Sequence, residues 1–203
     1  MAAEQYSETE VKVFVTDLAT VAAKLAELGA ELTVPRVYER NVRYENADNT
    51  FTGQGIVLRL REDNKIKLTY KEPLDPLAAA RGIHRRFEAE VTVSDYGAMD
   101  TILTRLGFHP YMVYEKYRTT YALNGAEIVL DEMPYGDFVE IEGSEATINA
   151  LLEKLNLQDQ PRISYSYAKL FDRIKTALQL DVDDLTFDNF DGVTVPPGVI
   201  TAS

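Results

Sequence analysis

The chain has 203 residues, of which 45% are hydrophobic and 27% charged, and its formal net charge is −12. This length supports one core of ordinary size, and the acidic balance disfavours general nucleic-acid binding, which depends on neutralising phosphates. The absence of cysteine excludes disulfides, thiolate metal ligands and a cysteine nucleophile, while two histidines disfavour a histidine-based zinc site or a serine–histidine triad.

No apolar run approaches the roughly 18 residues that a membrane-spanning helix needs. The first five residues lack the basic and apolar regions of a signal peptide. We therefore predict a cytoplasmic protein that acts without a membrane or a nucleic acid as partner.

Alternating apolar and polar residues predict eight β-strands, and apolar residues at helical spacing predict four helices. In chain order we predict a strand at 8–14, a helix at 17–28, a strand at 31–45, strands at 56–62 and 66–72, a loop at 73–82, a strand at 84–93, a helix capped by Ser94 that runs to residue 106, strands at 112–123, 127–132 and 138–142, and helices at 145–155 and 164–178.

Most of these strands are joined by hairpins, which favours an antiparallel sheet. A closed sheet of about eight strands has no edges and leaves a lumen wide enough for side chains or one small ligand. We therefore predict an α+β fold, an eight-stranded antiparallel closed β-barrel with helices packed outside. Residues 1–180 would form this single domain. Residues 181–203, with five aspartates and no lysine or arginine, would form an acidic irregular extension.

The clearest motif is Glu8-Thr9-Glu10-Val11-Lys12. On a strand, alternate side chains share one face, so Glu8, Glu10 and Lys12 would lie together. Three ionisable groups on one face are costly in a packed core. They are compatible either with a solvated outer face or with a wet, charged cavity.

The same period-two pattern recurs on six further strands. A solvated outer face could explain any single strand, but doublets of one sign favour a charged interior cavity, because like charges on facing positions destabilise a solvated sheet. The charged positions are Arg59 and Arg61, Lys67 and Lys71, Arg86, Glu88 and Glu90, Lys116 and Arg118, Asp131, and Glu140 and Glu142.

Carboxylates and cations in one cavity suit phosphoryl or nucleotidyl transfer, which relies on positioning and charge stabilisation. Carboxylates favour hard ions such as Mg²⁺ or Mn²⁺, and arginine forks match phosphate oxygens. No GxxxxGK[ST] loop is present, which disfavours P-loop chemistry.

The ordered set of motifs resembles the CYTH superfamily, also called triphosphate tunnel metalloenzymes, which is named after class IV adenylyl cyclases and thiamine triphosphatases. The resemblance runs from about residue 8 to residue 170. Besides the first motif it includes Leu58-Arg59-Leu60-Arg61, Leu68-Thr69-Tyr70-Lys71, Phe87-Glu88-Ala89-Glu90, Glu115-Lys116-Tyr117-Arg118, Leu130-Asp131-Glu132, Gly136-Asp137-Phe138-Val139-Glu140-Ile141-Glu142 and Ser166-Tyr167-Ala168-Lys169-Leu170.

This resemblance implies a tunnel that binds a triphosphate lengthwise with Mg²⁺ or Mn²⁺. It implies a catalytic role for Lys12 and Glu142, with Lys12 aiding activation of a water molecule, and supporting acidic roles for Glu88 and Glu90. The implied metal ligands are Glu8, Glu10, Asp131, Glu140 and Glu142. The implied phosphate-binding residues are Lys12, Arg59, Arg61, Lys71, Lys116, Arg118 and Lys169.

Three functions are compatible with these residues. The first is a triphosphatase acting on inorganic tripolyphosphate, thiamine triphosphate or a nucleoside triphosphate, and we favour it slightly because no base or ribose has to be oriented. The second is a class IV adenylyl cyclase, and the third is a non-catalytic polyphosphate- or nucleotide-binding module. The resemblance allows either a monomer or a homodimer.

Several residues have simpler interpretations. Lys67 and Arg86 could be structural ion-pair partners, and Lys169 could be an ordinary solvated lysine on a helix. His84 and His109 are interpreted as structural residues.

Overall fold

The computed structural model describes residues 7–74 and 84–202. Most of the loop predicted at 73–82 therefore lies outside the described residues. The strands are β1 (Ser7–Val15), β2 (Glu31–Glu45), β3 (Val57–Glu62), β4 (Ile66–Pro73), β5 (His84–Val93), β6 (His109–Leu123), β7 (Ala126–Met133) and β8 (Gly136–Glu142). The helices are α1 (Leu18–Glu27), α2 (Phe51–Gln54), α3 (Tyr96–Arg105), α4 (Glu145–Lys154), α5 (Tyr167–Leu178) and α6 (Pro197–Thr201), with a 3-10 turn at Asp188–Phe190.

The eight strands close into an antiparallel barrel in the order β1-β5-β4-β3-β2-β6-β7-β8. Closure joins β1 to β8 through six facing pairs, from Glu10 opposite Glu142 to Val15 opposite Asp137. The predicted fold class, an α+β closed barrel with helices outside, is confirmed. None of the described helices is long and apolar enough to cross a membrane.

Strand alternation sorts apolar residues to the outside of the barrel, where helices cover them. On β1, Val11, Val13 and Val15 are buried against Leu25 of α1 and Leu151 of α4. Because every second residue of a strand faces the other side, the residues between these valines must face the lumen. Packing against α1 and α4 therefore fixes which side chains of β1 enter the tunnel.

Helix α3 covers the opposite side of the barrel. Leu58 and Leu60 of β3 and Val42 of β2 pack with Leu103 of α3. The Tyr44 hydroxyl donates a 2.6 Å hydrogen bond to Asp100 Oδ1 on the same helix. This contact ties β2 to α3, and the residues that alternate with Val42, Leu58 and Leu60 therefore face inward.

Helix starts are set by side-chain caps. Asp17 caps α1, and Ser144 and Ser166 cap α4 and α5. The predicted cap Ser94 is displaced by Asp95, whose carboxylate accepts from Ala98 N at 2.9 Å and begins α3 at Tyr96. A carboxylate is a strong N-cap acceptor beside the positive end of the helix.

The C-terminal segment, residues 180–202, packs against one end of the barrel, where β2 and β7 end and β3 and β8 begin. We call this end the lower end. Leu185 N donates to Val113 O and Glu115 N donates to Leu185 O, both at 2.9 Å, so Leu185 pairs with β6 as a short parallel bridge beside Tyr114. Leu185, Phe190 and Ile200 are buried with Phe138 and Phe171. The segment is mostly irregular, and its apolar side chains extend the core while exposed aspartates such as Asp183 face solvent. The division at residue 180 stays a prediction.

Burial of Leu185 predicts that Leu185→Ala lowers the free energy of unfolding by about 2–5 kcal/mol, because the mutation removes apolar contacts and leaves a cavity. Urea unfolding followed by circular dichroism measures the change. Asp183→Ala, which truncates an exposed side chain of the same segment, is the control and should change the value by less than about 0.5 kcal/mol. Equal stability of Leu185→Ala and wild type would mean that the segment is not part of the core.

Candidate active-site tunnel

The lumen holds a cavity of about 370 Å³ at its centre. Nine basic and six acidic side chains line it among the described residues, so nine of the chain's 21 lysines and arginines gather in this one cavity of a chain whose net charge is −12. The basic residues are Lys12, Arg43, Arg59, Arg61, Lys67, Lys71, Arg86, Lys116 and Arg118, and the acidic ones are Glu10, Glu88, Glu90, Glu127, Glu140 and Glu142. This charge distribution favours a small polyanion as ligand.

Two further cavities extend the central one. A cavity of about 980 Å³ at the lower end shares Arg43, Val57 and Arg86 with it, and a cavity of about 250 Å³ at the upper end shares Arg61 and Arg118. The shared residues place the three cavities end to end along the barrel. An elongated ligand can therefore lie lengthwise in the tunnel.

Asp131 is the most heavily bonded carboxylate of the tunnel, and it is fully buried. It accepts hydrogen bonds from Arg118 Nε at 2.7 Å, Lys116 Nζ at 3.0 Å and the Tyr167 hydroxyl at 2.8 Å, besides one from Arg118 Nη2. Four donors occupy its acceptor sites. In this state Asp131 orients Lys116 and Arg118, and it would have to release a donor in order to bind a metal.

Glu39 of β2 lies beside Lys116 and Arg61 in the tunnel wall. None of the motifs contains this residue. Its carboxylate lies 3.5 Å from Lys116 Nζ and 3.5 Å from Arg61 Nη1. Burial would raise the pKa of Glu39, but the charges of Lys116, Arg118 and Arg61 outweigh burial and lower it to about 2. Glu39 is therefore ionised and holds two predicted phosphate-binding cations in place.

Lys12 is held at the junction of β1, β8 and the segment before α5. Its Nζ lies 3.1 Å from Glu140 Oε1 and donates to Tyr165 O at 3.4 Å. It also sits 4.0 Å from the centre of the Tyr167 ring, a cation–π geometry. Glu140 in turn accepts from Arg118 Nη2 at 2.8 Å. The ammonium of Lys12 is thus fixed at the tunnel wall.

On the β4–β5 side, Lys71 Nζ lies between two carboxylates, 2.9 Å from Glu8 and 2.7 Å from Glu88. Desolvation and a hydrogen bond to Glu88 raise the pKa of Glu8 to about 9, whereas the pKa of Glu88 is lowered by that bond and by Lys71 against the effect of burial. Lys71 Nζ donates to both oxygens of Glu8 and pairs with Glu88, so it holds the two carboxylates together at the tunnel wall.

Glu90 organises the basic residues of β3 and β4. It accepts from Lys67 Nζ at 2.5 Å and from Thr69 Oγ1 at 2.9 Å, and its Oε2 lies 3.8 Å from Arg59 and 3.5 Å from Arg61. Lys67 is thus an ion-pair partner, as the simpler interpretation predicted. Arg86 instead donates to Gly55 O at 2.7 Å.

Three carboxylates remain without a cationic partner among the described residues. Glu10 of β1 lies directly opposite Glu142 of β8, and Glu142 lies directly opposite Glu127 of β7. Desolvation raises the pKa of Glu142 to about 7, and the charges of Glu10 and Glu127 act in the same direction. Like charges on facing positions repel each other, and a bound cation would relieve this repulsion.

The carboxylate row fits a hard divalent cation in the chemistry of its donors. The described residues contain no three Asp, Glu or His side chains already arranged around a metal position. Of the five predicted metal ligands, Glu10 and Glu142 are unpaired, whereas Glu8, Asp131 and Glu140 form ion pairs with lysine or arginine. The predicted ligand set stays a prediction.

Lys169 is the one predicted phosphate-binding residue that does not line the central cavity. It is exposed on α5, its Nζ lies 5.5 Å from the Tyr165 ring centre, and it lines the lower cavity and not the central one. The tunnel also contains residues that the motifs did not indicate, namely Glu39, Asn41, Arg43, Tyr114 and Glu127, while Tyr167 lies within the last motif but had no predicted role. The period-two spacing of Glu39, Asn41 and Arg43 on β2 was the available signal.

Comparisons with known proteins place the chain among related sequences. The CYTH domain profile matches residues 7–169. A protein of Methanocaldococcus jannaschii, named as a candidate adenylate cyclase, is 28% identical over 176 residues, which cover 80% of this chain and 97% of that protein.

Solved structures share the fold. A protein of Pyrococcus horikoshii OT3 is 28% identical with a TM-score of 0.67, covering 80% of this chain and 98% of that chain. A Hippeastrum protein, described as an adenylyl cyclase candidate with a dominant triphosphatase activity, is 17% identical with a TM-score of 0.58, covering 81% and 95% of the two chains.

The raised pKa of Glu142 predicts a pH-dependent stability difference. A raised pKa means that the folded state holds the proton more tightly, so this contribution is complete below about pH 4.5 and is lost as the pH rises through about 7. Glu142→Gln should therefore melt at the same temperature as wild type at pH 4 and on the order of 2 °C higher at pH 8, a modest gain because water screens the site.

Thermal melts from pH 4 to pH 8 without added metal measure this difference. Glu153→Gln removes one negative charge from an exposed position on α4 and is the matched control. A gain that is independent of pH, or one that is equal in the control, would contradict the repulsion at Glu142.

Proposed function

The chain belongs to the CYTH domain family, and we propose that it is a divalent-metal-dependent triphosphatase that binds a linear triphosphate along the barrel tunnel. The observation that carries this proposal is the nine basic side chains that line the central cavity of a strongly acidic chain. A triphosphate carries about four negative charges, and a cavity lined by several cations with arginine forks matches that ligand.

Arg59 and Arg61 would bind phosphate oxygens directly. Arg59 donates from Nη1 to the Tyr114 hydroxyl at 3.0 Å and from Nη2 to Thr69 at 3.2 Å, which fixes its guanidinium in the wall. A preorganised donor loses little freedom when the substrate binds. Lys71, Lys116 and Arg118 would add charge along the same path, with Lys169 closing over the lower cavity.

Glu10 and Glu142 would hold the divalent cation, Mg²⁺ or Mn²⁺, with Glu8, Asp131 and Glu140 as further candidates. When bound, this ion would neutralise charge on the phosphate oxygens. Lys12, fixed by Glu140 and the Tyr165 carbonyl, would donate hydrogen bonds to the terminal phosphoryl group and to the attacking water. Glu88 and Glu90 would keep Lys71, Arg59 and Arg61 in position.

The second candidate function is adenylyl cyclase, which is supported by the name of the Methanocaldococcus jannaschii relative. The lower cavity gives this reaction a physical basis, because its volume of about 980 Å³ offers room for a nucleoside beside Arg43 and Arg86. In that reaction the ribose 3′-oxygen attacks the α-phosphorus and pyrophosphate leaves. A non-catalytic binding module ranks third, since the implied carboxylates are all present.

We predict that purified protein with Mg²⁺ or Mn²⁺ releases orthophosphate from tripolyphosphate, thiamine triphosphate or ATP. Orthophosphate, pyrophosphate and cyclic AMP are quantified together for each substrate. Orthophosphate without cyclic AMP supports the triphosphatase, and the fastest substrate identifies its preference. Cyclic AMP with equimolar pyrophosphate would replace it by the cyclase, and no product with either metal would favour the binding module.

Two substitutions should separate the chemical step from binding. Glu142→Ala should lower kcat at least about 100-fold, because it removes a proposed metal ligand from the site. Arg59→Ala should mainly raise KM, because it removes a phosphate contact made in the ground state as well as in the transition state. Steady-state kinetics on the best substrate measures both, and wild-type activity in both variants would refute the tunnel as the active site.

A further inference from the structure

Asn41 of β2 is an exception to the hydrogen bonding of the tunnel. Its side chain is fully buried, yet neither Nδ2 nor Oδ1 has a hydrogen-bond partner among the described residues. Leaving a buried polar group unsatisfied costs about 1–3 kcal/mol, and native proteins satisfy nearly all such groups. An amide in this state has a role that the ligand-free protein does not display.

The register of β2 shows which way Asn41 faces. It lies directly opposite Arg61 on β3 and directly opposite Tyr114 on β6. Facing residues of an antiparallel pair project to the same side of the sheet, and both Arg61 and Tyr114 line the central cavity. The amide of Asn41 therefore belongs to the inner wall of the tunnel.

Arg43, two residues further along the same face, is also incompletely bonded. It is 5% exposed, donates from Nη2 to Ile56 O at 3.0 Å, and has no partner for Nε. No described carboxylate lies within 4 Å of its guanidinium. Desolvation accordingly lowers the pKa of Arg43.

Arg43 also faces another cation. Arg59 lies directly opposite it on β3, and the Nε of Arg59 is likewise without a hydrogen-bond partner. Two guanidiniums on facing positions repel each other unless an anion lies between them. Asn41 Nδ2, Arg43 Nε and Arg59 Nε are thus three buried N–H donors on one wall from which no described residue accepts a hydrogen bond.

The chemistry of these donors selects their ligand. Phosphoryl oxygens accept several N–H donors at once, and a planar guanidinium matches them better than a point charge does. Arg43 lines both the central and the lower cavity, whereas Asn41 lies opposite Arg61 in the central part of the tunnel. We propose that Asn41 and Arg43 bind a phosphoryl group of the substrate in the central part of the tunnel, beside Arg59. This inference rests on the proposed binding of a triphosphate in the tunnel.

Asn41→Leu and Arg43→Met test the proposal, since each replaces a polar side chain by an apolar one of similar size. Isothermal titration with tripolyphosphate is performed in EDTA, and then with Mg²⁺ while orthophosphate release is followed. Both variants should bind tripolyphosphate about tenfold or more weakly than wild type. Arg40→Met is the matched control, because Arg40 lies on the outer face of β2 next to Tyr96 and its loss removes the same charge from the same strand.

Stability separates a binding role from a structural one. Asn41→Leu should melt at a higher temperature than ligand-free wild type, because it removes the unsatisfied amide, while its affinity for tripolyphosphate falls. A lower melting temperature with unchanged affinity would assign the amide a structural role and overturn the proposal. If the leucine variant does not fold, Asn41→Ala provides the same affinity measurement.

The remaining outcomes are also decisive. Affinity within about twofold of wild type in either variant, or an equal loss in Arg40→Met, overturns the assignment of this pair while leaving the proposed function intact. Absence of tripolyphosphate binding by wild-type protein, with Mg²⁺ and in EDTA alike, would refute the proposed function itself, and this inference with it.

Discussion

A charge inside a closed barrel must have a partner, and this constraint determines the architecture of the tunnel. An ionised side chain that leaves water without compensation loses several kcal/mol of solvation free energy. In barrel order the acidic residues lie mostly on the consecutive strands β7, β8, β1 and β5 and the basic residues mostly on β4, β3 and β6, and ion pairs form between the two groups. Asp131 serves two cations, Glu39 serves two and Glu90 serves three. The cations stay extended toward the lumen because carboxylates hold them there.

The same pairing bears on the proposed function. A triphosphate that enters would compete with the carboxylates for the same guanidinium and ammonium groups. The positions that have no partner are therefore informative. The unpaired carboxylates Glu10, Glu142 and Glu127 lie in one row, and the unused donors of Asn41, Arg43 and Arg59 lie in another. The first group lacks a cation and the second lacks an anion, which are the two components of a metal triphosphate.

The period-two spacing of charged residues predicted the strands and the inward residues of most of them, because alternate side chains of a strand share one face. It failed on β2, where Glu39, Asn41 and Arg43 share the inner face but mix an acid, an amide and a base, so no doublet of one sign appears. It could not foresee that Asp131 would accept four hydrogen bonds: Arg118 faces it across the β6–β7 ladder, but the Tyr167 hydroxyl of α5 reaches it through tertiary packing. Nor could composition reveal that the acidic C-terminal segment packs its few apolar residues into the core, because Leu185 and Phe190 are isolated among polar neighbours.

The choice between hydrolysis and cyclisation depends on features that the charged wall does not control. Both reactions use a triphosphate, a divalent cation and the same basic residues, so the residues that carry the family resemblance are equally suitable for either. What differs is the position of the organic group and the phosphorus that is attacked. We propose that the lower cavity, lined by Arg43, Tyr165 and the exposed face of α5, holds the organic group and sets the register of the phosphates. On this proposal the segments that surround the lower end decide specificity, while the strands provide a charge pattern that serves both reactions.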